Sequence, residues 1–196
     1  DNLKKTKSFC LLHSKEINHE KNSSLNKRLI NSTNKADFII ANSNFTKELA
    51  IKVGIDPLKI HVIFPGIQKP KNIEHLSSIK AEKLFGESFP RIITVARLDK
   101  RKGHDKILML IKNLKPKYPK IKYISVGTGN EEKNLTKLLN ELSLNEEVIF
   151  LKNIDLDTKL SLISKAHLFL MPSRIEKKSV EGFGIAFIEA ASYGVA

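Results

Sequence analysis

From Arg91 onward the sequence alternates short apolar runs with amphipathic stretches four times, and no other feature narrows the fold as far. Arg91–Ala96, Ile121–Val126, Glu147–Leu151 and His167–Met171 have the length and the aliphatic and aromatic character of buried strands. Helices are expected over Gly103–Leu114, Glu131–Leu142, Thr158–Ser164 and Gly184–Tyr193. Ile107, Leu110, Ile111 and Leu114 form the apolar stripe of the first, and Leu135, Leu138, Leu139 and Leu142 that of the second. Strand, crossover helix and strand repeated in this way predict a parallel sheet with right-handed connections, an α/β, Rossmann-like unit.

The first third reads as part of a second such unit. Phe9–Leu12, Asp37–Ala41 and His61–Phe64 are short apolar strands; a polar, helix-compatible stretch separates the first two, and a helix is expected over Phe45–Val53. Residues 1–67 are therefore assigned to a first Rossmann-like unit and 68–90 to a connector opened by Lys69-Pro70-Lys71. Residues 91–196 form the second unit. The first unit shows no opening strand–helix pair, and the sequence stops where a strand is expected after Gly194, so this is expected to be a piece of a longer chain.

Composition narrows the chemistry. The 34 Lys and Arg outweigh 21 Asp and Glu, a net charge of +13, so the expected partners are anions. The excess is spread evenly along the chain, aromatic residues are 7% with no Trp, and no basic cluster alternates with Phe or Tyr, which argues against nucleic acid. A single cysteine, Cys10, supplies neither a disulfide framework nor a cysteine zinc site. No apolar run is long enough to span a bilayer and no signal-peptide core follows Asp1–Lys5, so the expectation is a cytoplasmic protein.

In open parallel sheets ligands lie beyond the carboxyl ends of the strands, where loops converge and helix N-termini present free N–H groups. Every basic or glycine-rich loop of the second unit falls there: Arg97 to Gly103, Gly127-Thr128-Gly129-Asn130, Pro172-Ser173-Arg174 and Glu181-Gly182-Phe183-Gly184. Arg97 and Lys102 are five residues apart across one turn and could both reach one diphosphate, Arg as a bidentate fork and Lys as a point charge. The plain alternative is two solvated surface cations. Gly127 and Gly129 would admit a flat base close to the backbone, or only serve the turn. Glu181 and Glu189 offer carboxylates that can accept from a sugar diol; alternatively they are first-turn acids favoured by the helix dipole. Gly182 and Gly184 clear side chains from backbone donors. His13, at the end of the first strand, either hydrogen-bonds a sugar or is structural. No histidine pair has metal-ligand spacing, and no nucleophile elbow or Walker A sequence occurs.

These motifs, taken in order, resemble glycosyltransferase family 4: Val95-Ala-Arg-Leu-Asp-Lys-Arg-Lys-Gly-His-Asp105, Val126-Gly-Thr-Gly129, Met171-Pro-Ser173 and Glu181-Gly-Phe-Gly-Ile-Ala-Phe-Ile-Glu-Ala190. Ala41-Asn42-Ser43 and Ile63-Phe-Pro-Gly-Ile67 resemble the end of that family's N-terminal domain and its crossing to the next. The resemblance implies a GT-B fold and retaining transfer of a hexose, mannose or glucose, from a UDP- or GDP-linked donor to a polysaccharide or lipid-linked acceptor. It implies no cofactor and no metal.

Residue by residue, the resemblance implies that Arg97 and Lys102 hold the donor diphosphate and that Glu189 grips the ribose. Glu181, Gly182, Phe183 and Gly184 would lie against the donor sugar, Gly127, Thr128, Gly129 and Asn130 would border the nucleotide, and His13 would stand near the reacting sugar. Ile175–Val180 lengthens the segment before the glutamate motif, as in some mannosyltransferases of lipid and polysaccharide assembly. Peripheral association with the inner face of a membrane is expected from the positive charge. The competing readings are a GT-B-shaped sugar-nucleotide epimerase and a noncatalytic nucleotide-binding fragment.

Overall fold

A computed structural model describes residues 6–20, 22–68, 70, 72–176 and 179–196. Lys69 and Lys71 of the connector, Asp1–Lys5, and Lys177 and Lys178 of the lengthened segment lie outside the described residues. The chain divides into two compact units: residues up to Gly66 with Ile175–Ile185, and Ile67–Arg174 with Ala186–Ala196.

The first unit holds strands β1 (Phe9–Leu12), β2 (Phe38–Ala41) and β3 (Ile60–Val62), all parallel in the order β1-β2-β3. The polar stretch between β1 and β2 is helix α1 (Ser24–Asn34), started by Ser23, whose side chain accepts from Asn26 N. Helix α2 (Asn44–Lys52) follows β2, with Ser43 as its N-cap accepting from Thr46 N. Leu12, Ile17, Ile39, Ala41, Ala50, Ile55 and Ile60 form the unit's buried cluster. The third strand ends at Val62 rather than Phe64, and Phe64 is exposed.

The second unit is a four-stranded parallel sheet of β4 (Arg91–Val95), β5 (Lys122–Val126), β6 (Val148–Leu151) and β7 (Leu168–Phe169), in the order β6-β5-β4-β7. Its helices are α3 (His75–Phe85), α4 (His104–Leu114), α5 (Glu132–Glu141), α6 (Leu156–Lys165) and α7 (Ile185–Ser192), whose first residue belongs to the other unit. Ile92, Tyr123 and Val148 face α4 and α5 through Ile107, Leu108, Ile111, Leu135 and Leu139. Ile93, Ile124 and Val126 face the other way, to Ala81, Phe85, Leu162, Ile163 and Ala190 of α3, α6 and α7. Alternate residues of each strand thus bury against opposite helical layers, as a doubly covered parallel sheet requires.

Three expectations change. The stretch 68–90 is more than a connector, because α3 packs on α6 with Ala81 and Phe85 buried, and Glu82 pairs with Arg91 and Lys165, each at 3.1 Å. On α4 the buried stripe takes in Leu108, while Leu110 is exposed. The segment Ile175–Ile185, assigned by sequence to 91–196, belongs to the first unit, for the packing reason given below.

Candidate functional site

In the second unit, β4 is followed by a turn toward β5's side and β7 lies on β4's other side, so the carboxyl ends of β4 and β7 flank the sheet's switch point. Arg97 to Gly103 leaves β4 there and Met171 to Arg174 leaves β7. The first loop is held from both sides. Leu98 N donates to Thr128 O at 2.9 Å and Leu98 O accepts from Glu131 N at 3.0 Å, while Arg174 N donates to Arg101 O at 2.8 Å. The Arg174 guanidinium contacts both Asp105 carboxylate oxygens at 2.9–3.0 Å, tying the β7 loop to the first turn of α4.

Two of the glycines read as a nucleotide border are what make this loop pairing possible. A Cβ on Gly127 would lie 2.0 Å from Ala96 O, and one on Gly129 would lie 2.2 Å from Leu98 O. Gly103, at φ +75°, closes the short 3₁₀ turn Lys100–Lys102 and opens α4, and a Cβ there would lie 2.4 Å from Pro172 O. These positions demand glycine for backbone contact before any ligand is considered.

Arg97 is 71% exposed at its side chain and pairs with Asp99 at 3.1 Å. Lys102 is half-buried, with Nζ 3.5 Å from Met171 Sδ on the β7 side. One oxygen of Asp99 and the Ser173 hydroxyl are buried without a hydrogen-bond partner, at the loops flanking the switch point. Buried polar atoms of this kind are satisfied in complexes by ligand or water. Thr128, Gly129 and Asn130 are exposed at the neighbouring turn. Glu189, in the second turn of α7, forms an ion pair with Lys159 of α6 at 2.7 Å, each side chain 23% exposed.

Beneath the Arg97–Lys102 turn runs a buried polar chain that sequence reasoning missed. His104 Nε2 lies 3.1 Å from Arg97 O, and Nδ1 lies 3.1 Å from the Tyr123 hydroxyl and 3.3 Å from Ser125 Oγ. Tyr123 donates to Thr94 Oγ1 at 2.9 Å, and Thr94 donates to Leu170 O. Burial pushes the His104 imidazole below its usual range against the opposing pull of Arg97 O, Asp99 and Asp105, and Lys102 adds to the lowering. The Tyr123 hydroxyl, fully enclosed, is pushed up to about 12 by desolvation. The only sequence signal for His104 is its place directly after Lys102-Gly103, at the first position of α4.

In the first unit the glutamate-motif segment lies on the carboxyl ends of β1 and β2. A Cβ on Gly182 would meet His13 O at 2.5 Å, Ser14 Oγ at 2.7 Å and Asn42 Nδ2 at 3.1 Å, and Ser43 Oγ donates to Gly182 O at 2.6 Å. Ser14 is fully buried at φ +84°, an uncommon backbone for a non-glycine residue, directly after His13. Phe183 stacks on Phe64 with ring centroids 5.9 Å apart. His13 is exposed, Glu181 half-buried, and Gly184, at φ +83°, immediately precedes α7. This contact is why Ile175–Ile185 groups with the first unit. Among the described residues no three His, Cys, Asp or Glu side chains cluster to hold a metal, and no helix is long and apolar enough to cross a membrane.

Comparison with known proteins gives these features a context. Residues 77–196, well over half the chain, match the family described as Glycosyl transferases group 1, and residues 3–69 match Glycosyltransferase Family 4. A Corynebacterium glutamicum protein named as a GDP-mannose-dependent monoacylated alpha-(1-6)-phosphatidylinositol monomannoside mannosyltransferase is 30% identical over 128 residues, 64% of this chain and 33% of its own length. The Escherichia coli O-antigen biosynthesis glycosyltransferase WclY is 38% identical over 100 residues, 51% of this chain and 25% of its own. The matched stretches thus span a third or less of these relatives. The crystal structure of Anabaena HepE in complex with UDP and glucose superposes with a TM-score of 0.78 over 95% of this chain and 51% of HepE, at 23% identity, a likeness of fold.

Proposed function

This chain belongs to the group 1 glycosyltransferases, and from that membership we propose that it carries the nucleotide-sugar side of a retaining glycosyltransferase. The sugar is a hexose, mannose or glucose, carried on GDP or UDP, and the acceptor is a polysaccharide or a lipid-linked glycan. The observation that carries this reading is the fixed turn at the switch point of the second unit, from which Arg97 and Lys102 leave. The names of the relatives, a GDP-mannose-dependent enzyme of a phosphatidylinositol mannoside and an O-antigen glycosyltransferase, support the donor and acceptor classes.

In such a transfer the bond from the sugar's C1 to the β-phosphate oxygen breaks and its electron pair leaves with the diphosphate. The acceptor hydroxyl oxygen makes the new C1 bond, and its proton goes to a departing phosphate oxygen. Negative charge therefore grows on the diphosphate as the bond lengthens. The Arg97 fork, the Lys102 ammonium and the N-terminus of α4 are cationic groups that favour that growth. Glu189 accepts from the ribose diol, its carboxylate oriented by the ion pair with Lys159. By the family resemblance, Glu181 to Gly184 and His13 are the residues assigned to the donor sugar. The positive charge of the chain favours peripheral residence on the inner, anionic leaflet of a membrane, with each basic residue near such a surface worth about 1 kcal/mol.

The test is turnover of GDP-mannose and UDP-glucose by the full-length protein carrying Lys102→Ala, Lys100→Ala or Glu189→Gln, with the anomeric configuration of the product read by NMR. Lys102→Ala should lower kcat about a hundred- to a thousandfold. The exposed Lys100, on the same turn, should change the rate by about twofold or less. Glu189→Gln should weaken nucleotide binding. Equal losses for Lys100→Ala and Lys102→Ala would replace the diphosphate clamp with a diffuse field, and binding of GDP or UDP without turnover would favour the noncatalytic reading.

A further inference from the structure

The loops after β4 and β7 begin at two carbonyls, Arg97 O and Leu170 O, and one buried side-chain chain touches both. Its members come from three elements: Thr94 on β4, Tyr123 on β5 and His104 at the start of α4. All three are enclosed, with Thr94 and Tyr123 at 0% exposure and His104 at 1%. Arg97 O can only accept, so Nε2 of His104 carries the proton. The Thr94 proton goes to Leu170 O and the Tyr123 proton to Thr94 Oγ1, so Nδ1 of the neutral ring accepts from the Ser125 hydroxyl, with the Tyr123 oxygen packed beside it. Arg97 O also accepts from Asp99 N at 2.8 Å, so the imidazole closes the turn at the residue that carries the fork.

We propose that His104 is a positioning residue for the reaction. Through its Nε2 bond to Arg97 O, with Nδ1 held by Ser125, it fixes the turn from which Arg97 and Lys102 reach the diphosphate, while Tyr123, packed beside the ring, holds the loop leaving β7 through Thr94. The proposal rests on the reading that Arg97 holds the donor diphosphate. A turn already closed before the donor arrives spends no binding energy on ordering two long cationic side chains' backbone, and displacement of a charge-stabilising group by about 1 Å is costly to rate. The ring has no exposure through which to touch the donor itself, so its effect on chemistry passes through Arg97.

The test is a double-mutant cycle in the full-length protein, with donor turnover as the readout and thermal unfolding measured alongside. His104→Phe keeps an aromatic ring without the donor and should lower kcat about ten- to a hundredfold. His104→Gln, whose amide can donate to the same carbonyl, should recover most of that loss. In an Arg97→Ala background His104→Phe should cost about twofold or less, because the residue it positions is gone. Ser125→Ala, which removes the hydroxyl that donates to Nδ1, should show the same pattern in weaker form, and it serves if His104→Phe does not fold. A loss equal in both backgrounds, or a His104→Gln variant no better than His104→Phe, would make His104 a structural residue only and overturn the proposal. If Arg97→Ala alone leaves turnover unchanged, the clamp reading itself falls and takes the proposal with it; if Arg97→Ala is damaging and His104→Phe is silent, the proposal alone falls.

Discussion

Gly129→Ala separates a glycine needed for backbone packing from one that serves only a ligand. The added methyl carbon would lie 2.2 Å from Leu98 O, 2.5 Å from Leu98 C and 2.8 Å from Leu98 N, where real Cβ contacts essentially never fall below 3.0 Å. All three atoms are backbone, so relief requires moving the turn by about 0.8 Å at its carbonyl. Leu98 is fully buried and spends both backbone groups on this neighbour, donating to Thr128 O and accepting from Glu131 N. Overpacking of this kind costs about 1–3 kcal/mol, and each weakened hydrogen bond adds about 0.5–1.5 kcal/mol. The terms overlap, so a loss of about 2–4 kcal/mol is expected. Urea unfolding followed by tyrosine fluorescence measures it cleanly. The sequence has no Trp, and Tyr118, Tyr123 and Tyr193 all belong to the second unit. Gly66→Ala, with nothing within 4 Å of the added carbon, is the control and should stay within about 0.5 kcal/mol of the parent. A Gly129→Ala midpoint indistinguishable from that control would refute the packing argument and return Gly129 to the role of a ligand-side glycine.

Further outcomes follow from other parts of the structure. Phe85→Ala removes a side chain 2% exposed at the end of α3 and should cost the second unit about 3–5 kcal/mol, whereas a loss below about 0.5 kcal/mol would restore residues 68–90 to a mere connector. Because burial holds His104 below its unfolded value near 6.5, the unfolded chain binds a proton that the native one does not. Stability should therefore fall as pH drops from about 6.5 toward the native value, with a limiting slope of about 1.4 kcal/mol per pH unit. His104→Gln should remove that part of the slope in urea titrations between pH 7 and 5, and an unchanged slope would assign it to other groups. If the charge of the chain serves an anionic leaflet, the full-length protein should sediment with anionic vesicles at low salt and not with neutral ones; equal sedimentation with both would remove the membrane proposal.

Periodicity and punctuation were enough to find β4, β5, β6, α4 and α5, because each is a local pattern: an apolar run of strand length, or leucines at helical spacing, closed by glycine or proline. The same locality made the carboxyl-edge loops legible, since a loop that follows a strand in sequence lies at that strand's carboxyl end whatever the sheet order. What one residue's neighbours across the fold would be was not local. Leu108 rather than Leu110 is buried because Ile92 and Tyr123 of the sheet face that side of α4, and α3 was hidden because its packing partner α6 lies some 80 residues away along the chain. The sequence by itself determined an α/β chain in which the loops Arg97–Gly103, Gly127–Asn130 and Pro172–Arg174 each follow a strand, whereas Glu181–Gly184, expected on the same edge, groups with the first unit. Tertiary structure alone decided that β7 pairs with β4, which puts the loops after Arg97 and Leu170 side by side. It also decided that Gly127 and Gly129 are claimed by the backbone of Ala96 and Leu98, and that His104 holds Arg97 O from below. The physical reason is that strand order, close backbone approach and buried hydrogen bonds are pairings between distant residues, and a side chain's own spacing carries no record of its partner.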